Sequence, residues 1–455
     1  MTLTPARTQS RAQSLAPGTT LTGGRDGESG GRRTASGVAA RIETALWPLL
    51  GGLLPVRLRA WDGSQAGSAD CPLVELRSPR ALTRLLWHPG ELGAAQAYVT
   101  GELEVHGDIG ETLDVVRATV ASRAIPPLTA RRLARVLPEL ARLAKDAGAL
   151  RLPPAPPASQ AVVKGRLHSL ARDRSAISHH YDLSNDFYAF LLDPHLAYSC
   201  AWFVDGPDMS LEAAQAAKLD LVCRKVGLEP GARFLDIGCG WGSLSLYAAE
   251  HFGAKVTGVT IAAEQKAFID ARVRERGLEG RVEILLQDYR EIDAEPFDAV
   301  ASLEMGEHVG EGNYPTYAAV VARSVKPGGL ALIQQMSRSG PHPGGGPFIE
   351  AFIAPDMTMR PLGATVALFE DAGLEVRGVQ ALREHYVLTV DAWHRTLESQ
   401  WDRAVALIGE EAARVWRLYL VGGSQAFRDG RMGVDQILLR RPDGEVADAA
   451  DPVGR

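Results

Sequence analysis

The chain has 455 residues, of which 45% are hydrophobic, and its 49 basic and 55 acidic side chains leave a formal net charge of −6. This length allows two or three domains, and the hydrophobic share is that of a globular protein with a sizeable core. Because nucleic-acid-binding domains carry a strongly basic surface, the charge balance predicts no nucleic-acid partner.

Cysteine usage and hydropathy bear on the cellular compartment. The four cysteines are far apart and include no C-x-x-C pair, so the sequence indicates neither a zinc ribbon nor a disulfide scaffold, which fits a reducing cytoplasm. The segment TALWPLLGGLLPVRLRAW is too short to span a bilayer and contains Pro48, Pro55 and Arg57. We therefore expect a cytoplasmic protein whose contact with the inner face of the membrane is peripheral.

The composition changes twice in the first quarter of the chain. Residues 1–37 are rich in Ser, Thr, Gly and Arg, which cannot offset the entropy of ordering, and they are predicted to form a disordered tail. Residues 38–122 combine the alternating runs PVRLRAW and PLVELRS with helical spacing in ALTRLLWHPGELGAAQAYV. This combination predicts a small α+β domain.

Residues 123–165 form a basic helical segment followed by a linker. The stretch LTARRLARVLPELARLAKDAGALRL has apolar residues at helical spacing, with five basic residues from Arg131 to Lys145, and Pro138 interrupts it. Such a helix either lies on an anionic membrane surface or packs on the neighbouring domain. The run LPPAPPAS predicts an extended linker.

Strands and helices alternate across residues 166–442, and residues 443–455 form a C-terminal tail. The apolar segments are ARFLDIG, AKVTGVT, RVEILLQD, FDAVASLEM and LALIQQMS, and helical spacing occupies several of the intervals between them. This order predicts an α/β domain whose parallel sheet is covered on both faces.

The segment RFLDIGCGWGSLSLYA places a buried strand, an acid, a Gly-x-Gly turn and a helix in succession. Gly238 and Gly240 let the backbone pass close to a ligand at the carboxyl ends of the strands, where Asp236 accepts from a ligand ammonium or hydroxyl group. Ser243 replaces the third glycine of the dinucleotide fingerprint, and no P-loop is present. Nicotinamide and nucleoside-triphosphate ligands are therefore disfavoured.

A second segment, LLQDYRE, follows the third strand. Asp288 is placed to accept from an adenine amino group while Gln287 and Tyr289 flank the ring, although a strand-terminal acid is also a common helix cap. Together with the glycine turn, this segment resembles the class I S-adenosylmethionine methyltransferases.

Further segments narrow the resemblance. They are HHYDLSNDFYAFLLDPHLAYSCAWF, GVTIAAEQ, EHVGEGNY and REHYVLTVDAWHRTL, in addition to the two above. Together they resemble the cyclopropane-fatty-acyl-phospholipid synthase family, which transfers a methyl group from S-adenosylmethionine to an acyl-chain double bond. The resemblance implies a class I, Rossmann-like, doubly wound sheet preceded by a small N-terminal α+β lipid-handling domain, and it implies a homodimer.

The resemblance also assigns residues by position. The residues that it places at the S-adenosylmethionine pocket are Tyr198, Ser199, Asp236, Gly238, Cys239, Gly240, Trp241, Gly242, Thr260, Gln265, Gln287, Asp288 and Tyr289.

The catalytic positions of the family differ here at two places. Relatives hold a bicarbonate ion as their base, using a cysteine, a glutamate, a histidine and a tyrosine. Cys200, Glu307 and Tyr386 stand at three of these positions, but Gln334 stands where relatives carry the histidine. In addition, Glu304 of SLEMGEHVG replaces a glycine of the relatives.

The cluster Glu304, Glu307 and His308 allows three interpretations. A metal site is disfavoured because the His-x-x-x-His spacing of helical zinc ligands is absent and the family chemistry needs no metal. A solvated loop is a better interpretation for Glu311, which lies at a helix start, than for Glu304. Because Glu304 directly follows the strand FDAVASL, it faces the expected place of the sulfonium methyl, which favours a catalytic base.

We hypothesise that the Glu304 carboxylate takes the place of bicarbonate, with Glu307, Tyr386, Gln334 and Cys200 orienting it. Methyl transfer to an alkene leaves a carbocation that must lose a proton, and a carboxylate both accepts that proton and stabilises the cation. A bicarbonate beside two glutamates would crowd like charges into a poorly solvated pocket. Bicarbonate is therefore not expected to be required.

Base placement determines the product. Proton loss with ring closure gives a cyclopropane, whereas a hydride shift before proton loss gives an exocyclic methylene. The departures resemble the subgroup that makes methylene-branched acyl phospholipids, for instance a 10-methylene chain from oleoyl, whose product a separate flavin- and NADPH-dependent reductase converts. The alternatives are a cyclopropane synthase, a non-catalytic lipid-binding protein with a relic methyltransferase domain, and a methyltransferase for a soluble small molecule.

Overall fold

A computed structural model describes residues 37–123, 130–146, 148, 152–161, 172, 185–340 and 344–443. The predicted disordered tail lies outside these residues except for Gly37, and so do the segment HHYDLS and almost all of the predicted C-terminal tail. All described residues fall within one compact unit that begins at Gly37.

The first 85 or so described residues form a small module with its own sheet. Its helices are α1 (Val38–Leu50), α2 (Pro79–Trp87), α3 (Glu91–Val99) and α4 (Ile109–Ser122), and its strands are β1 (Arg57–Arg59), β2 (Gln65–Ala66), β3 (Leu73–Leu76) and β4 (Leu103–His106). The strand order is β2-β1-β3-β4, with only β1 and β3 parallel. Ser78 and Asp108 cap α2 and α4 by accepting backbone N–H groups. The module has the α+β content that its sequence pattern predicts.

The basic helix, α5 (Ala130–Asp146), packs on this module. Leu143 and Ala144 are buried in one apolar cluster with Ala39 and Ile42 of α1. Arg41 forms an ion pair of 3.0 Å with Asp146 of α5. These contacts favour the packing alternative for the helix over the membrane-surface alternative.

The described part of the predicted linker contacts both halves of the molecule. The backbone N–H of Ser159 donates to Glu411 at 2.6 Å, and Gln160 accepts from Gln96 of α3 at 2.8 Å. Residues 152–161 contain no helix or strand, as an extended linker predicts, but they are hydrogen-bonded on both sides. They therefore connect the N-terminal module to the larger domain through hydrogen bonds.

The larger domain alternates strands and helices. In chain order these are α6 (Asn185–Leu191), α7 (Leu211–Lys225), β5 (Arg233–Ile237), α8 (Ser243–His251), β6 (Lys255–Thr260), α9 (Ala263–Glu275), β7 (Val282–Leu286), β8 (Phe297–Leu303), α10 (Tyr314–Ser324), β9 (Val325–Ser337), α11 (Pro347–Phe352), α12 (Leu362–Asp371), β10 (Glu375–Ala381), α13 (Arg383–Ser399), α14 (Trp401–Arg428) and β11 (Gly433–Arg440). Gly409 has non-helical backbone angles and kinks α14.

The strands form a seven-stranded sheet in the order β10-β11-β9-β8-β5-β6-β7. Strand β11 runs antiparallel to both of its neighbours, so the prediction of an entirely parallel sheet is wrong for this strand. The reason is the helix pair α13 and α14, which precedes β11. Each helix reverses the chain once, so two helices return it to the edge of the sheet at which β10 ended.

Apolar clusters cover both faces of the sheet, as the doubly wound prediction requires. One cluster contains Leu219 of α7 and Ile269 of α9, and the other contains Tyr317 of α10 and Phe369 of α12. The central strands are therefore buried on both sides, which explains their nearly continuous apolar sequences. In the part of the chain that is described, no helix is both long enough and apolar enough to cross a membrane.

Candidate active site

A pocket opens at the carboxyl ends of β5, β6, β7 and β8. Of the residues expected to bind the cofactor, all but Gly242 line it: Tyr198, Ser199, Asp236, Gly238, Cys239, Gly240, Trp241, Thr260, Gln265, Gln287, Asp288 and Tyr289. Open α/β sheets bind ligands at this edge because the strand ends and helix starts leave a crevice there. The structure thus brings together residues that are up to 91 positions apart in the chain.

Glycine is required in the turn between β5 and α8 for two reasons: the backbone conformation and the close approach of neighbouring side chains. Gly238 and Gly242 have φ angles of 78° and 80°, in the left-handed region that side chains disfavour. A Cβ atom on Gly242 would lie 2.9 Å from Ile269, and a Cβ atom on Gly238 would lie 2.7 Å from Met305. Gly242 therefore acts through helix packing, whereas Gly240, whose Cβ would meet no atom within 4 Å, faces the open pocket.

Two acids stand at the strand ends that border the pocket. Asp236 accepts the hydroxyl of Ser245 at 2.7 Å, and burial raises the pKa of Asp236 to about 6. Asp288 accepts from the Arg290 guanidinium at 2.7 and 2.8 Å and caps a short 3₁₀ turn. Oδ1 also accepts the backbone N–H of Arg290 at 2.9 Å, so a contact of Asp288 with adenine would use Oδ2, and this contact stays a prediction.

Lys218 is a buried basic residue that the sequence analysis missed. Its side chain is fully buried in α7, and its ammonium donates to the Ser199 hydroxyl at 2.7 Å. Burial lowers the pKa of Lys218, and the negative charges of Glu304, Asp193 and Asp236 oppose that effect. The signal was its position on the apolar face of the helix, one residue before Leu219 and four after Ala214, both of which are buried.

The Glu304 carboxylate is held by three donors. Its Oε1 accepts from the backbone N–H of Cys200 at 2.8 Å and from Nε2 of Gln334 at 2.9 Å, and its Oε2 accepts from the Tyr386 hydroxyl at 2.5 Å. Gln436 donates to the other end of the Gln334 amide at 2.9 Å, which turns the NH₂ group toward Glu304. The structure thus brings together four of the five residues of the catalytic hypothesis.

The backbone and the charge of Glu304 are both unusual. Its φ of 53° lies in the left-handed region, which a side chain occupies at a cost and which glycine occupies freely. Burial raises the pKa of the Glu304 carboxyl, while the three hydrogen bonds and the charge of Lys218 oppose that rise. A strained backbone at the end of a central strand is typical of a functional position.

Glu307 lies beside this arrangement and not within it. It is 1% exposed, its Oε1 accepts the backbone N–H of Met336, and it forms no hydrogen bond with Glu304. Burial and the charge of Glu304 raise the pKa of Glu307 to about 8, so Glu307 is a neutral acid at neutral pH. Among the described residues, no three His, Cys, Asp or Glu side chains are grouped as metal ligands.

Cys200 contacts Glu304 through its backbone N–H group and not through its thiol. The Sγ atom donates to the carbonyl oxygens of Ala201 at 3.3 Å and Leu382 at 3.6 Å, whereas the contact with Glu304 is made by the backbone N–H. Burial and the charge of Glu304 raise the pKa of the thiol, which keeps it protonated. A role for this residue in orienting the Glu304 carboxylate therefore rests on its N–H group, which the sequence analysis did not specify.

A second, larger cavity of about 970 Å³ adjoins the first. It is lined mainly by apolar side chains from α3, α4, α11 and α14, so the N-terminal module forms one of its walls. The two cavities share Tyr198, Glu304 and His308 as wall residues. Burial lowers the pKa of His308 to about 4, so its imidazole is neutral, and Glu304 is the acidic group at the junction.

The doubly wound sheet and the pocket behind its glycine turn define a class I methyltransferase that uses S-adenosylmethionine. The mycolic acid cyclopropane synthetase family matches residues 168–437, more than half of the chain. The chain belongs to this family. Its pocket suits S-adenosylmethionine. The open space beside Gly240 leaves room for the ligand, and the acids at two strand ends suit its cationic and adenine groups.

Individual relatives agree with this assignment. A probable fatty acid methyltransferase of Mycobacterium tuberculosis is 37% identical over 86% of this chain and 92% of its own length. The cyclopropane-fatty-acyl-phospholipid synthase of Escherichia coli K12 is 37% identical over 58% of this chain and 66% of its own. The crystal structure of mycolic acid cyclopropane synthase CmaA1 with S-adenosylhomocysteine covers 58% of this chain and 97% of its own, with 32% identity and a TM-score of 0.55.

Proposed function

We propose that the protein methylates the double bond of an unsaturated phospholipid acyl chain and releases a methylene-branched product, for instance 10-methylene from oleoyl. The observation that carries this proposal is the position of Glu304. Its carboxylate lies on the wall between the cofactor pocket and the apolar cavity, and three donors fix its direction. A base at this junction faces both the methyl donor and the acyl chain.

The residues at the junction suit the chemistry. S-adenosylmethionine supplies an electrophilic methyl group when it is bound. The acyl chain that accepts this group becomes a carbocation, and the Glu304 carboxylate stabilises that cation and then accepts the proton that the cation loses. Tyr386, Gln334 and the N–H of Cys200 hold the carboxylate in place, so little reorganisation is needed during the reaction.

The same contacts support a mechanism without bicarbonate. The donors that a small anion would need, the N–H of Cys200, the Gln334 amide and the Tyr386 hydroxyl, already bind the carboxylate of Glu304. A further anion here would lie beside a buried negative charge with no unused donor of this set, which is unfavourable in a poorly solvated site.

The product follows from where the base sits. A tethered carboxylate stays fixed relative to the acyl chain, whereas a free ion adjusts its position, so a different proton is within reach. Relatives of 37% identity carry the names of both a fatty acid methyltransferase and a cyclopropane synthase, so the names do not choose between products. Base placement alone gives no direction for this change, and the resemblance of the departures at Glu304 and Gln334 to the methylene-forming subgroup favours the methylene product, with the cyclopropane as the second candidate.

Proton NMR of the acyl chains tests this proposal, because the two products have the same mass. The protein is incubated with S-adenosylmethionine and dioleoyl phospholipid vesicles, and the lipids are extracted. Vinylidene proton signals are expected. High-field cyclopropane signals would establish the second candidate, and unchanged oleoyl chains would overturn methyl transfer to this lipid and favour a lipid-binding protein.

The setting of the reaction forms part of the proposal. The enzyme acts at the inner face of the membrane as a peripheral protein, and a flavin- and NADPH-dependent reductase consumes its product. Turnover should therefore require vesicles. A soluble acceptor that is methylated equally well without lipid would instead support a small-molecule methyltransferase.

A further inference from the structure

The large cavity contains a charged region that the proposed reaction does not use. Most of its wall is apolar, but the guanidinium groups of Arg117, Arg338 and Arg431 also line it. They come from three separate elements: α4 of the N-terminal module, the residue after β9, and the turn before β11. Such convergence within one cavity is a reason to ask which ligand they bind.

Asp429 shows that two of these arginines are close together. Its Oδ2 lies 2.8 Å from Arg117 and 3.4 Å from Arg431. The contact to Arg431 uses Nε alone, and in the described part of the chain its other N–H groups have no carboxylate partner. The contact of Arg117 with Asp429 therefore links the module to the larger domain. Arg117 also lies 3.6 Å from Asp114 of its own helix, so the donors that remain for another ligand are mainly those of Arg431.

Arg338 lacks a compensating contact. It is half-buried and forms no ion pair among the described residues. Burial and the nearby charge of Arg431 lower its pKa, and the charge of Glu91 opposes that effect. A half-buried guanidinium with a like-charged neighbour is stabilised by a bound anion.

Two carboxylates, Glu91 and Glu350, lie on the same wall as the arginines, and Asp114 and Asp429 form ion pairs with Arg117. Glu91 accepts the backbone N–H of Phe348, and burial raises the pKa of Glu91, which disfavours its negative charge. Glu350 also lines the cavity. Counting Asp114 and Asp429, the three guanidinium groups face four carboxylates, and in the described part of the chain Arg338 is the arginine that contacts none of them.

The charged region is well separated from Glu304. Arg338 follows Gln334, which contacts Glu304, by four residues along the extended chain of β9. At about 3.3 Å per residue, this separation is roughly 13 Å. An anion bound by the arginines therefore lies far from the base, in a cavity whose wall also includes apolar side chains such as Met336 and Phe348.

We infer that Arg117, Arg338 and Arg431 bind the phosphate of the phospholipid whose acyl chain extends through the apolar cavity to Glu304. This inference rests on the proposed function and adds the head-group site to it. Guanidinium groups match phosphate because their N–H groups form paired hydrogen bonds with its oxygens. The N-terminal module then supplies part of the substrate site through Arg117, in addition to a cavity wall.

The test compares a charged and an uncharged substrate. The variant combines Arg338→Gln and Arg431→Gln, and the control is Arg377→Gln, which removes an exposed charge paired with Glu375 on β10. The apparent KM is measured for dioleoyl phosphatidylglycerol vesicles and for oleic acid methyl ester in neutral detergent. We expect the double variant to raise the KM for the phospholipid by roughly tenfold or more and to leave the ester unchanged, with the control like the wild type.

Calorimetry with a short-chain saturated phosphatidylglycerol, below its micelle concentration, provides a readout that does not depend on turnover. Weaker binding of this lipid by the double variant supports the inference even if the wild type methylates neither oleoyl substrate, in which case only the proposed function fails. Equal binding by all proteins overturns the inference. Loss of activity on both substrates would make the arginines structural and also overturn it.

Inorganic phosphate separates a lipid head group from a free anion. If phosphate alone binds the wild type and the double variant loses that binding, while the short-chain phospholipid binds both equally, the site takes a free anion and the inference is wrong. If the phospholipid loses affinity in the double variant, the head-group assignment stands.

Discussion

The cofactor pocket and the lipid cavity are built in different ways. Most of the pocket comes from four short segments within residues 236–243, 259–265, 287–290 and 303–309, each at the end of a neighbouring strand, and residues 196–199 complete it. The cavity combines α3 and α4 with residues 345–359 and α14, which are more than 200 positions apart. A site made of strand ends is encoded locally, whereas a cavity between distant elements depends on the tertiary packing of the whole chain.

Glu304 belongs to both regions, so its removal should have the largest effect. Replacement Glu304→Gln keeps the shape of the side chain but removes the proton acceptor. We expect the turnover number to fall by about 10²–10⁴-fold, the usual contribution of a general base. Binding of S-adenosylhomocysteine, measured by calorimetry, should stay unchanged. Glu283→Gln on the exposed face of β7 is the control, and full activity of Glu304→Gln would remove Glu304 from the mechanism.

A substitution in the glycine turn between β5 and α8 tests the cofactor pocket, which is the region that local sequence encodes. Gly242→Ala places a methyl group 2.9 Å from Ile269 at a φ of 80°, so α8 must move away from α9. We expect a loss of about 1–3 kcal/mol in the free energy of unfolding and weaker binding of S-adenosylhomocysteine. Gly363→Ala in α12 meets no atom within 4 Å and should be neutral or slightly stabilising. Equal behaviour of the two variants would contradict the packing argument.

The cofactor pocket and the lipid cavity also differ in how much of each could be predicted from the sequence. The residues expected at the cofactor pocket line it or its turn because strand, turn and helix are adjacent in the chain. Gln436, which orients Gln334, was missed because the two residues meet only through the pairing of β11 with β9. Glu307 was expected to orient Glu304, but its carboxylate binds Met336 instead, a contact that requires the path of the backbone.

The Tyr386 hydroxyl tests the electrostatics of the junction. Its hydrogen bond favours the ionised form of Glu304, so Tyr386→Phe should raise the pKa of the base further. Because the base must be ionised to act, the rise of kcat with pH should move to higher pH, and kcat at neutral pH should fall by roughly tenfold. Tyr419→Phe removes a hydroxyl on the same cavity wall that contacts Tyr198 and should leave the pH profile in place. Identical profiles for Tyr386→Phe and the wild type would contradict this account.

Glu307 should have the smallest effect on turnover and a distinct effect on stability. Its pKa is about 8 in the folded chain, against about 4.3 when unfolded. Between these values the folded state holds a proton that the unfolded state releases, so stability falls as pH rises, by at most about 1.4 kcal/mol per pH unit. Glu307→Gln should flatten this dependence in denaturant titrations between pH 5 and pH 8. An unchanged slope would show that Glu307 is ionised in the folded protein.

Glycine at position 304 tests most directly whether a tethered carboxylate has taken the place of a free ion. Glu304→Gly introduces the residue that the family resemblance implies here, suits the φ of 53°, and leaves the N–H of Cys200, Gln334 and Tyr386 without their acceptor. The measurement is the rate of methyl transfer to dioleoyl phospholipid in carbonate-free buffer and with added bicarbonate. Bicarbonate should restore activity to Glu304→Gly and leave the wild type unaffected. A wild-type enzyme that needs bicarbonate, or a glycine variant that is fully active without it, would contradict the account.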